Sequence, residues 1–261
     1  MTCWILLRGL TREARHWGDL PERLGARLGG APVVALDLPG NGARHRERSP
    51  TSIEPMVAIC RAALHEAGHE PPFVLVGMSL GAMVAMAWTS SHGDEVAGLV
   101  LVNSSSRGLS AWHQRLRWRQ IPAVLRIAAT HDPIAHARSV LRLTSRRPPG
   151  REAALLGSWA DWRRQHPVSG ANAIRQFLAA ARFRGPAALR PLPVLVLASA
   201  KDALVDPACS VALAKAWGAD LRVHPTAGHD LPLDDGPWVA EQVCGWWLSI
   251  RPASSCLKSL G

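Results

Sequence analysis

Six short apolar runs punctuate the chain: "CWILL" (3–7), "VVALDL" (33–38), "FVLVGM" (73–78), "AGLVLVN" (97–103), "PVLVLA" (193–198) and "DLRVHP" (220–225). They are rich in Val, Leu and Ile and bounded by Gly, Pro or Asp, which predicts strands. Within each run the apolar residues are continuous, not alternating, as expected of strands buried on both faces in a parallel sheet covered by helices. Between the runs, apolar positions recur at helical spacing over 17–28, 52–67, 80–90, 207–217 and 237–250. Strand and helix therefore alternate. The expected fold is a doubly wound α/β sheet, with any ligand at the carboxyl ends of the strands.

One segment breaks the alternation. Residues 107–190 hold no convincing strand, only helical pieces broken at "THDP" and "SRRPPGRE", before "RPLPVLVLAS" resumes the sheet. The predicted organisation is a core formed by 1–106 and 191–250, a helical insertion at 107–190, and a flexible tail at 251–261, "RPASSCLKSLG".

The stretch "HEAGHEPPFVLVGMSLG" contains two catalytic patterns of unrelated chemistry. His65-Glu66-Ala67-Gly68-His69 matches H-E-x-x-H, and Gly77-Met78-Ser79-Leu80-Gly81 matches G-x-S-x-G. Zinc binding requires an unbroken helix that places both histidines on one face. Gly68 and Pro71-Pro72 end the helix instead, and no third ligand follows His69 at a fitting distance. The zinc reading is rejected. The serine pattern has the context it needs, with Ser79 at a sharp turn between a strand and a helix and small residues on either side. Its partners should follow later strands in the order Ser, Asp, His. Asp202 lies just beyond the fifth run and His229 in the loop after the sixth. Asp206 is the fallback acid, better suited to capping the helix that starts at Pro207, and His224 lies within a strand as a structural residue.

With these residues in place the chain resembles the α/β-hydrolase superfamily. "LLRGLTREARHWGDL" resembles that family's oxyanion loop, "VVALDLPGNGAR" its strand and following loop, "VGMSLGAMVA" its nucleophile elbow, "ASAKDALV" its acid loop and "TAGHDLPLDD" its histidine loop. The resemblance implies an α/β-hydrolase fold with catalytic Ser79, Asp202 and His229. It also implies an oxyanion hole from the backbone N–H groups of Leu10 and Leu80, an acyl-enzyme intermediate, and neither metal nor organic cofactor. The glycines of "LPGNG" then form a tight loop, not a phosphate cradle. Two features depart from the pattern. Arg8-Gly9 stands where the family usually has His-Gly, and the family's opening antiparallel hairpin is missing, so an abbreviated, mostly parallel six-stranded sheet is expected.

Composition narrows the setting. At 261 residues and 48% hydrophobic content, one substantial core is expected. No apolar run approaches the roughly 20 residues of a membrane span. The apolar opening "MTCWILLRG" lacks a basic leader and meets Arg8 too soon for a signal peptide, so cytoplasmic residence is the expectation. Cys3, Cys60, Cys209, Cys244 and Cys256 are scattered without metal-ligand spacing and are expected as reduced, mostly buried thiols.

The net charge of +10 is unevenly spread: 16 arginines and only three acids fall within 107–190, and the rest of the chain is slightly acidic. That insertion also carries Trp112, Trp118, Trp159 and Trp162, which either line an apolar substrate slot or form the insertion's own core. A basic cap over an acyl slot resembles the pimeloyl-carrier-protein methyl ester esterases, which dock an acidic acyl carrier protein and cleave a methyl ester from its attached chain. Electrostatic steering of that partner would fade with salt. The alternative is that arginine is simply the preferred surface base of the source genome. Two other function classes stay open: a lyase or carbon–carbon hydrolase using the same triad, and a basic binding module with a vestigial site. Nucleic acid is not expected as a partner, because no recognisable binding motif accompanies the arginines.

Overall fold

The computed structural model describes residues 2–148, 150 and 152–250. Six strands form one sheet: β1 (Cys3–Leu7), β2 (Val33–Leu36), β3 (Phe73–Met78), β4 (Val96–Val102), β5 (Val194–Ser199) and β6 (Asp220–His224). All neighbouring pairs are parallel, in the order β2-β1-β3-β4-β5-β6. The winding reverses at β1, which pairs with β2 on one side and β3 on the other. The carboxyl ends of β1 and β3 therefore adjoin, with Leu7 opposite Gly77. In open α/β sheets this reversal is where ligands bind.

Among the described residues there are also eleven α-helices: α1 (Leu20–Arg27), α2 (Glu54–Glu66), α3 (Leu80–Ser91), α4 (Trp112–Arg115), α5 (Ile121–Ala129), α6 (Pro133–Thr144), α7 (Ala153–Gln165), α8 (Gly170–Arg182), α9 (Pro207–Trp217), α10 (Leu231–Asp234) and α11 (Gly236–Ser249). One face of the sheet packs Ile5, Leu75, Leu99 and Val196 against α2, α3 and α9. The other packs Trp4, Val74, Val100 and Leu195 against α1 and α11, where Trp246 and Trp247 are buried. The helix expected from residue 17 starts only at Leu20, because Gly18 at φ 59° turns the chain after a short 3-10 segment at Ala14–Trp17.

β1, β3 and β5 are fully buried, as their continuous apolar sequences require. β6 departs from that expectation. It is an edge strand whose Leu221 and Val223 are 36% and 47% exposed, because the helices do not cover its outer side.

Helices α4 to α8 fill the chain between β4 and β5. "THDP" starts α6, where Asp132 accepts the N–H of Ala135 as an N-cap. Ala137, Leu141, Leu156 and Trp159 make a small core of their own between α6 and α7. Ala179 of α8 and Phe183 just beyond it belong to the main core, so the end of the cap is tied to the sheet. The tail 251–261, including Cys256, lies outside the described residues; Cys3, Cys60, Cys209 and Cys244 are buried free thiols.

Candidate active site

Ser79 sits between β3 and α3 at φ 53°, ψ −114°, a strained conformation for a residue with a side chain. The turn closes only because its neighbours are small. A Cβ on Gly77 would lie 2.4 Å from Ala82 Cα, and one on Gly81 2.0 Å from the Leu7 carbonyl oxygen. The Ser79 N–H donates to Val102 O at 2.9 Å, and Ser104 Oγ donates to Ser79 O at 2.8 Å, holding the turn from the end of β4.

Asp202 and His229 meet across two loops. Asp202 Oδ1 accepts the N–H groups of Leu204 (2.8 Å) and Val205 (3.0 Å), which aims Oδ2 at His229 Nδ1, 2.7 Å away. A carboxylate on Nδ1 fixes the tautomer in which Nε2 is the basic nitrogen. Both side chains are buried. Burial disfavours the imidazolium, but the Asp202 charge and hydrogen bond outweigh it and hold the His229 pKa above its ordinary value. Ser79 and His229 line one cavity of about 210 Å³ at the strand ends. Asn103 supports this loop from the end of β4. Its Nδ2 donates to His229 O (2.8 Å) and Ser199 Oγ (2.9 Å), and its Oδ1 accepts from Ser199 N (2.9 Å).

The loop after β1 bends over the serine. A Cβ on Gly9 would approach Ser79 Cβ to 3.3 Å and Oγ to 3.8 Å. Arg12 N donates to Gly9 O (3.1 Å), and Thr11 holds φ 57° with its N–H bonded to Gln176 Oε1 at 2.9 Å. Gln176, on α8 and fully buried, also donates to Asn41 Oδ1 (2.8 Å) and Ser49 Oγ (3.0 Å). Leu10 and Leu80 line the cavity beside Ser79, and Leu80, as the first residue of α3, has an N–H with no acceptor inside its helix.

Arg8, the departure from the family pattern, is buried beneath this loop. Its Nη2 pairs with Asp230 Oδ2 at 2.7 Å, its Nη1 contacts Met78 Sδ at 3.1 Å, and its guanidinium lies 4.8 Å from the Trp17 ring centre. Burial would raise the Asp230 pKa, but Arg8 and Arg12 together hold it below the usual carboxylate range. The loop after β1 is thus fastened to the residue next to His229 by a buried ion pair.

None of the four tryptophans lines the cavity that holds Ser79, though Trp159 and Trp162 line a second one with Arg12 and His16. Trp112 and Trp118 are 70% and 58% exposed, on the outside of the cap. Trp159 packs in the α6–α7 core and, with Trp162, edge-on against His16. The cavity wall is built instead from Leu116, Val124, Ile127, Val140, Leu143 and Phe177. His65 and His69 hold nothing together: α2 ends at Glu66, and His65 Nδ1 bonds Glu70 at 2.7 Å in solvent. Among the described residues no cluster of His, Cys, Asp and Glu is arranged to hold a metal. Asp206 caps α9 by accepting from Ala208 N, and His224 Nδ1 accepts from Ala227 N, both structural roles. Asp230, Asn103, Ser104 and Gln176 escaped the sequence reading. Asn103 alone carried a signal, as the polar residue closing an apolar strand run.

A family profile described as alpha/beta hydrolase family matches residues 4–242. Lipase LipV of Mycobacterium tuberculosis is 35% identical over 99 residues, a match covering 38% of this chain and 36% of that protein, so just over a third of the relative's length. Among solved structures, a thermophilic esterase from Thermogutta terrifontis superposes with a TM-score of 0.74 at 21% identity, over 97% of this chain and 91% of that one. The putative non-heme bromoperoxidase BpoC of M. tuberculosis gives 0.73 at 21% identity, over 97% and 94%. The enol-lactonase of Burkholderia xenovorans gives 0.73 at 19%, over 95% and 92%. At these identities the superpositions speak for the fold.

Proposed function

The chain belongs to the alpha/beta hydrolase family, and from that premise we propose that it is a serine hydrolase that cleaves carboxylic esters through an acyl-enzyme on Ser79. The observation that carries this reading is the 2.7 Å Asp202–His229 bond ending in the cavity that Ser79 lines. In this reading His229 Nε2 takes the Ser79 proton as Oγ attacks the ester carbonyl, and Asp202 stays ionised and stabilises the imidazolium. The backbone N–H groups of Leu80 and Leu10 receive the oxyanion, each donor being worth about 3 kcal/mol at the transition state. The alcohol leaves with the proton from His229. Water then attacks the acyl-enzyme by the same route, restoring Ser79 and releasing the acid.

The apolar wall favours a short to medium acyl chain. The exposed arginines Arg119, Arg126, Arg138, Arg142 and Arg146 on the cap suit delivery of that chain by an acidic carrier protein, with a methyl ester as the bond cleaved.

The test is hydrolysis of p-nitrophenyl acetate, butyrate and octanoate by the wild type and by Ser79→Ala, purified in parallel. Activity lost with Ser79, by at least about 10⁴-fold as triad removals give, supports the reading. Equal activity in both proteins, or none in either, overturns it.

A further inference from the structure

We propose that Arg12 anchors a carboxylate on the substrate, so that the preferred ester is a free anionic one in place of the carrier-linked chain; this inference rests on the reading of Ser79 as nucleophile. Three arginines line the cavity that holds Ser79, and two are committed to the protein. Arg8 donates to Asp230 and Met78. Arg115 donates to the carbonyl oxygens of Ala180 and Ala181 and to Ser105 Oγ. The Arg12 guanidinium donates no hydrogen bond to any described residue, and its Nη2 is buried without a partner.

A buried guanidinium with unused N–H groups is costly unless something accepts them. Arg12 is held in place by contacts that consume none of its donors. Its guanidinium carbon lies 3.8 Å from the centre of the Trp159 ring, and Nη2 stands 3.9 Å from Asp230 Oδ2, beyond hydrogen-bond reach. Burial pushes its pKa down to about 9, partly offset by Asp230, so it stays cationic at neutral pH. The side chain is thus oriented and charged, with Nη2 unsatisfied, where it lines both the apolar cavity of Ser79 and a second cavity that contains Trp159.

The geometry also selects the kind of anion. A planar carboxylate matches the two-pronged donor face of a guanidinium. Asp230, which shares its field with Arg8 and Arg12, would repel a dianion more than a single negative charge. The cavity that Arg12 and Ser79 both line has a largely hydrocarbon wall, which suits the methylene chain of a dicarboxylic acid esterified at one end.

The experiment compares monomethyl esters of dicarboxylic acids of four to eight carbons with methyl esters of monocarboxylic acids of equal chain length. For at least one length the wild type should favour the anionic ester in kcat/KM by tenfold or more. In Arg12→Gln that ratio should collapse to near one, mainly through KM, and Arg12→Lys should restore part of it. A wild type without the preference, or a ratio that survives in Arg12→Gln, overturns the inference. Calorimetric titration of monomethyl glutarate into Ser79→Ala and into Ser79→Ala/Arg12→Gln, both confirmed as folded, separates it from the nucleophile assignment. Weaker binding only in the double variant supports the anchor even if Ser79 proves not to be the nucleophile, and equal binding overturns it.

Discussion

At the scale of single residues, the proposed mechanism makes the pair Asp202–His229 set the pH at which Ser79 is activated. Burial alone would make His229 a weaker base, but the carboxylate 2.7 Å away reverses the sign. The base must be unprotonated to accept the serine proton. The kcat/KM of the wild type on a neutral ester should therefore rise with pH through an apparent pKa above the ordinary imidazole value of about 6.5. Asp202→Asn removes both the charge that raises this pKa and the acceptor that fixes the tautomer. Its kcat should fall about 10⁴-fold, and the midpoint of the residual activity should move to lower pH. Initial rates from pH 5 to 9 on both proteins check this. A midpoint unmoved by the substitution would mean that the profile belongs to a group other than His229.

At the scale of elements, the cap does more than cover the site, because α8 reaches through Gln176 to the loop that crosses Ser79. The left-handed conformation of Thr11 is unfavourable for a β-branched residue, and the Gln176 acceptor on its N–H helps to maintain it. Gln176→Met keeps the volume and removes both the acceptor for Thr11 and the donor to Asn41 and Ser49. In the proposed mechanism, misplacing the Leu10 N–H weakens oxyanion stabilisation more than ester binding, so kcat should drop about 10- to 100-fold with a much smaller change in KM. Gln176→Glu, which keeps an Oε1 acceptor, should recover much of the loss. Equal effects on kcat and KM, with no recovery by Glu, would reduce Gln176 to a packing residue.

This contact also marks how far the sequence could be read. The strands were legible because burial on both faces leaves unbroken apolar runs, and the Ser79 turn because Gly77 and Gly81 have no steric alternative. Asp202 and His229 followed from where their strands end. Gln176 was illegible, since a polar residue on an amphipathic helix reads as solvated surface until the partner loop is seen. Trp112 and Trp118 were illegible for the opposite reason: large apolar rings read as buried or ligand-lining, yet these two project from short helical pieces on the outside of the cap.

At the scale of the whole molecule, cap and core meet through a layer of charged and imidazole groups. Glu13 and Arg15 of the core contact His166 and Gln165 at the end of α7, His16 packs on Trp159 and Trp162, and His136 of α6 bonds Arg163 at 3.1 Å. Burial, then Arg12 and Arg8, push the His16 pKa well below its ordinary value; burial, then Arg163 and Arg12, push that of His136 down to about 4. The unfolded chain binds these protons near pH 6.5, whereas the folded chain does not. Stability must therefore fall as pH drops below about 6.5, continuing for His136 until about 4. His229 acts in the other direction. Its pKa is raised on folding, so its contribution is complete below about 6.5 and is lost as pH climbs through the folded value. Urea unfolding free energies should accordingly peak near neutrality. His136→Gln, which preserves an acceptor for Arg163 without titrating in this range, should flatten the acid side and leave the alkaline side as it was. An acid limb of unchanged slope in that variant would mean that the interface histidines do not govern acid stability and that the carboxylates, Asp230 foremost, do.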